Sequence, residues 1–145
     1  MTEKKIFIFM IFFMMEIIKA QTFLLDTEQT ESIIELGTFV ALSGTIQNIS
    51  DDSLQLAVIR TELSLPQDWN TQLCFGGICF PPDFDSLATT SPDAPFYQGP
   101  IPPDSSIYFA VWFTAFSEYE GTGTATIKLY DLNNPDYVLF QNYMA

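Results

Sequence analysis

The chain has 145 residues, nearly half of them apolar and 15% aromatic, so it can bury the core of one domain and is not a disordered segment. It carries 18 acidic residues, five Lys and Arg and no His, a formal charge of −13. That surface repels phosphate backbones and anionic lipid, so nucleic acid is excluded as a partner, and without His the usual proton shuttle for catalysis is missing.

The first twenty residues have the order of a secretory signal peptide. Lys4 and Lys5 form a basic start, Ile6–Met15 is an unbroken apolar run, and the small residue Ala20 marks the cut before Gln21. As a helix the run spans roughly 15 Å, about half a bilayer core, so it is too short for a stable membrane anchor after processing. Residues 1–20 are therefore expected to be a signal-peptide helix and 21–145 one exported domain, secreted, extracellular or periplasmic. Removal of the leader takes three of the five basic residues and leaves Arg60 and Lys128 against 16 acidic ones.

From Gln21 onward the apolar period is two, the period of strands. Thr22–Asp26 and Ser32–Leu36 are short extended candidates. Phe39–Asn48 places Val40, Leu42, Gly44 and Ile46 on one face, and the turn former run Asn48–Asp52 closes it. Leu54–Leu63 follows, with Leu54, Leu56 and Val58 on one face and a mixed, partly covered opposite face. From Pro81 to Pro103 there are seven prolines, so no central strand can run there, and a surface crossover between sheets is expected, with a ligand-contacting loop as the alternative. Phe84, Phe96 and Tyr97 are placed to pin that segment to the domain.

Ile107–Phe116 is apolar on both faces, as in a central strand. Thr124–Leu132 is the cleanest alternation, with Ala125, Ile127 and Leu129 facing in. A turn at Asn133–Asp136 and a last strand, Tyr137–Met144, complete the chain. No window after the leader carries a helical stripe. Strands of about ten residues punctuated by Asn, Gly and Pro turns predict an all-β antiparallel sandwich or barrel.

The chemistry-bearing residues are few. Cys74 and Cys79, an even pair in a chain with an export leader, are expected to form a disulfide, with Gly76-Gly77 supplying the positive φ angles of a tight hairpin turn. Four residues separate them where redox motifs have two, and no basic side chain stands beside them in sequence to lower a thiol pKa. Closing so short a loop contributes about 2 kcal/mol at most. Two Cys and no His cannot make a zinc site. Asp83-Phe-Asp85 and Asp131 to Asp136 offer oxygens for calcium without the spacing of a calcium loop, and turn formation explains them. No catalytic, cofactor-binding or metal residue is assigned, and no cofactor is expected. The sequon Asn48-Ile-Ser50 lies at a turn.

Leu65-Pro66, Trp69, Cys74 and Cys79, followed by the Pro-rich loop, resemble a family of secreted bacterial immunoglobulin-like domains frequent in the Bacteroidota. In that family a strand ends in Pro, a Trp follows, and two closely spaced Cys bridge a hairpin. Ile101–Ser106 leading into Tyr108–Phe113, and Gly121-Thr-Gly123 before Ile127–Asp131, are similar to its later turns; Asp104 stands where the family often has Gly. The resemblance implies an immunoglobulin-like sandwich of about seven strands, with no catalytic residues to carry over. The expected function is a non-catalytic interaction or structural module with a protein partner, joined by strand addition at Tyr137–Met144 or the N-terminal strand. The alternative is a carbohydrate- or small-ligand-binding module using Tyr97, Tyr108 or Tyr130 as stacking platforms.

Overall fold

The computed structural model describes residues 21–90 and 99–145. The leader and the notional cut site, along with Phe96 and Tyr97, lie outside the described residues. Nine strands run in chain order as β1 (Phe23–Thr27), β2 (Phe39–Asn48), β3 (Leu56–Ser64), β4 (Asn70–Phe75), β5 (Ile78–Cys79), β6 (Ser86–Ala88), β7 (Ser106–Thr114), β8 (Thr124–Asp131) and β9 (Asn134–Met144). They form two sheets, ordered β1-β2-β7-β4-β5 and β6-β3-β8-β9, with every strand pair antiparallel.

This order defines the fold. β1, β2, β7 and β4 take the places of the first, second, fifth and fourth strands of an immunoglobulin framework, and β3, β8 and β9 those of the third, sixth and seventh. The expected seven-strand sandwich is present. The two additions are short: β5 folds back on β4, and β6 borders β3.

The alternating rows meet between the sheets. Leu42 and Ile46 of β2, Phe109, Val111 and Phe113 of β7, and Leu73 and Phe75 of β4 face Leu56 and Val58 of β3 and Ala125, Ile127 and Leu129 of β8. β7 lies between β2 and β4, the central place in its sheet that its apolar residues predicted. Gly44 lies where a Cβ would come 2.5 Å from the Asp26 carbonyl oxygen, so only glycine lets β1 close onto β2 there.

The expected elements shift in four places. Ser32–Leu36 forms no strand: Glu31 makes a single parallel bridge to Met144, after which the chain turns through Gly37 at φ 82°. Leu54 makes an isolated bridge to Ile101, so β3 proper begins at Leu56. The Pro-rich segment admits the three-residue β6, a length compatible with a sheet edge. At the last turn Asp131 pairs directly with Asn134, so β9 starts at Asn134 rather than Tyr137.

Tyr143 of β9 is buried against Phe109, edge to face with ring centroids 6.3 Å apart. Its hydroxyl has no hydrogen-bond partner, and burial raises the phenol far above its ordinary value of 10.0. Tyr143→Phe removes a buried, unsatisfied group and is expected to stabilise the domain by about 1 kcal/mol. The tyrosine of the unfolded chain ionises first, so wild-type stability is full below its ordinary value and is lost as pH rises through it toward the raised one. Urea unfolding on either side of that value should show the advantage of Tyr143→Phe widening with pH; an equal difference at both would refute the assignment.

Candidate functional site

The cysteine hairpin closes as its residues dictate. Cys74 and Cys79 sit opposite each other on β4 and β5 and are joined by a disulfide, with Gly76 at φ 61° and Gly77 at φ 84° in the turn. Cys74 is fully buried beneath the outer surface of the five-stranded sheet, beside Ala110 of β7. Such a bond fits an oxidising compartment. Among the described residues no helix is long and apolar enough to cross a membrane.

Three polar residues end the inward rows and are buried. Asn48 continues the row of Val40, Leu42, Gly44 and Ile46 and is wholly inaccessible. Its amide donates to the carbonyls of Asp52 (2.8 Å) and Ile101 (2.9 Å), and its oxygen accepts from the Ser50 N–H (2.9 Å) and hydroxyl (2.7 Å). A glycan on that nitrogen is incompatible with this fold. Asp131 continues the β8 row, and its carboxylate accepts the Asn133 N–H at 2.9 Å, which makes it a turn former.

Arg60 continues the row of Leu54, Leu56 and Val58, and a bulge in β3 follows it directly. Its guanidinium lies beneath the segment joining β5 to β6. Nε donates to Asp85 Oδ1 at 2.7 Å, one terminal nitrogen to the Thr71 carbonyl and hydroxyl, and the other to the Pro82 carbonyl. One buried side chain thus ties β3 to β4 of the other sheet and to the crossover. Asp85, half of the first calcium candidate, is the ion-pair partner of Arg60. Among the described residues no group of three or more His, Cys, Asp or Glu is placed to hold a metal.

The stacking candidates do not converge. Tyr108 projects from the outer face of the five-stranded sheet. Tyr130 lies on the outer face of the opposite sheet, where the Lys128 ammonium covers its ring at 4.9 Å. Sequence alternation also gave no hint that Phe39 and Trp112 would stack in parallel, with centroids 4.8 Å apart, because their strands are neighbours only in the sheet.

β1 and β9 are both sheet edges, as expected of the two terminal strands. β9 is the longer, and part of its free edge is already used. Met144 donates its N–H to the Thr30 carbonyl (2.9 Å) and accepts from the Ser32 N–H (3.1 Å), so its peptide groups point away from β8. By the two-residue period those of Asn142, Phe140 and Val138 point the same way, toward the open edge. Phe140 itself is 60% exposed.

No protein-family model matches this chain, and no curated protein is significantly similar to it. Among solved structures, the N-terminal domain of PorA is 13% identical over 82% of this chain and 84% of that one, with a TM-score of 0.51. A FixG-related protein from Vibrio parahaemolyticus is 8% identical over 86% and 95% (TM-score 0.48). A conjugative transposon lipoprotein from Bacteroides eggerthii is 16% identical over 86% and 98% (TM-score 0.46). The likeness to the PorA domain shows a shared fold.

Proposed function

We propose that this protein is a non-catalytic, exported interaction module, a structural part of a cell-surface or extracellular assembly, that takes up a protein partner by strand addition along β9. The open edge carries the proposal. Outward peptide groups at Val138, Phe140 and Asn142 offer donors and acceptors for an extended chain, and exposed Phe140 offers it an apolar anchor. Residues 30–32 already use the end of this edge in parallel register. The leader pattern and the disulfide support export, and the fold agrees with the resemblance to secreted bacterial immunoglobulin-like domains.

The test is a proline at Phe140. Its N–H faces the open edge, so Phe140→Pro removes an outward donor and the anchor while leaving the β8 ladder whole. In host envelope and extracellular fractions the wild-type protein should run in a complex larger than the monomer. The variant should run as a monomer with an unchanged melting temperature. A variant that stays in the complex would rule out this edge.

A further inference from the structure

The end of the sandwich far from Asn48 gathers the loops before β2, between β3 and β4, and between β7 and β8. They are bonded to one another: Gly37 N–H to the Ala115 carbonyl (2.8 Å), Ser117 hydroxyl to the Gln67 carbonyl (2.9 Å), and Trp69 Nε1 to the Tyr119 carbonyl (2.9 Å). Loops held in this way nevertheless keep large apolar side chains in water. Ile33 is 96% exposed and Phe116 66%, and Leu36 and Tyr119 are exposed as well. Exposed apolar side chains gathered at one end of a domain, unlike ones scattered singly, mark an interaction surface.

An open cleft at this end is lined by Ile34, Glu35, Leu36, Trp69 and Glu120; Ile33 and Tyr119 adjoin its lining in sequence, and Phe116 follows Ala115, which is bonded to Gly37. Asp68, next to Trp69 in the chain, and Glu118, next to Tyr119, are exposed and add acidic groups at this end. The two basic residues of the described chain are elsewhere: Arg60 is buried, and Lys128 lies over Tyr130 on β8. An apolar surface with a one-sign rim selects its occupant by charge. A second copy of this chain would set rim against rim, and anionic lipid would be repelled.

We propose that this end of the domain is a second docking surface, distinct from the β9 edge, for a cationic protein segment that interleaves Lys or Arg with large apolar side chains. The basic groups pair with Glu35, Glu118 and Glu120, and the apolar ones cover Ile33 and Phe116.

The test uses the full chain purified from its host and a fluorescent peptide alternating lysine with leucine. That peptide should bind about tenfold more tightly than one alternating lysine with serine, and binding should weaken with added salt. Combining Ile33→Ser with Phe116→Ser should weaken it about tenfold at an unchanged melting temperature, whereas Phe140→Pro should leave it unaffected. Equal binding of the lysine–serine peptide, or an unaffected double variant, would overturn the proposal. So would Ile33- and Phe116-dependent sedimentation with neutral phosphatidylcholine vesicles, which assigns the surface to lipid, or Ile33- and Phe116-dependent dimerisation.

Discussion

Asn48→Ala is expected to lower stability by about 2–4 kcal/mol, measured by urea unfolding at neutral pH. The alanine removes four hydrogen bonds at a position with no access to water. The Ile101 carbonyl keeps the Leu54 N–H but loses its second donor, in a bond that is itself buried. Water can replace part of what Ser50 and Asp52 lose, which keeps the total below the sum of four full penalties. Asn48→Asp separates the two sides of the amide. It keeps the acceptor for Ser50 but turns a carboxylate toward two carbonyl oxygens, so it should cost at least as much as alanine at neutral pH. Burial and those carbonyls favour the protonated acid, so the loss should shrink as pH falls through the carboxylate range. A cost below about 1 kcal/mol for Asn48→Ala would show that this end of the sandwich is held by other contacts.

Arg60→Ala is expected to cost about 3–5 kcal/mol, because the side chain is 2% exposed and satisfies groups on two other segments, β4 and the crossover. The loss divides unequally among its partners. Asp85 is 64% exposed and regains water when the pair is broken, so Asp85→Asn should cost less than about 1 kcal/mol. The Thr71 carbonyl and hydroxyl are bonded within the buried interior, and with Arg60→Ala they face a cavity. Arg60→Met fills most of that volume and should recover part of the loss. Were Asp85→Asn as damaging as Arg60→Ala, the ion pair rather than the buried hydrogen bonds would hold the crossover. Equal unfolding midpoints for Arg60→Ala and wild type would remove Arg60 from the account altogether.

Both residues show where sequence reading reaches its limit. The rows Val40, Leu42, Gly44, Ile46 and Leu54, Leu56, Val58 were legible because strand alternation is local, and the structure places both rows in the core. The next inward positions, Asn48 and Arg60, follow from the same count of two, yet their polarity argued for the surface. A signal was present in each case, a polar residue in phase with a buried row. What it lacked was a partner, since Asn48 finds Ile101 and Arg60 finds Asp85 across the fold. Asp104, standing where the resembling family often has glycine, has φ 56°, a left-handed conformation that Asp tolerates better than most residues. The failure at Ser32–Leu36 has the same origin as the buried polar residues. An extended run becomes a strand only beside an open edge, and β9 offered this one a single residue, Met144.

By itself the sequence determined the strand class, the core rows of β2, β3, β7 and β8, the tight turn that lets Cys74 meet Cys79, and the acidity of the chain. Each of these depends on neighbours a few residues apart or on composition. Only the tertiary structure decided which strands are edges, which polar groups are buried, and which exposed apolar side chains share one end of the domain. Those properties depend on sheet order and on loops distant in sequence meeting in space, and alternation along one strand carries no information about the strand that will lie beside it.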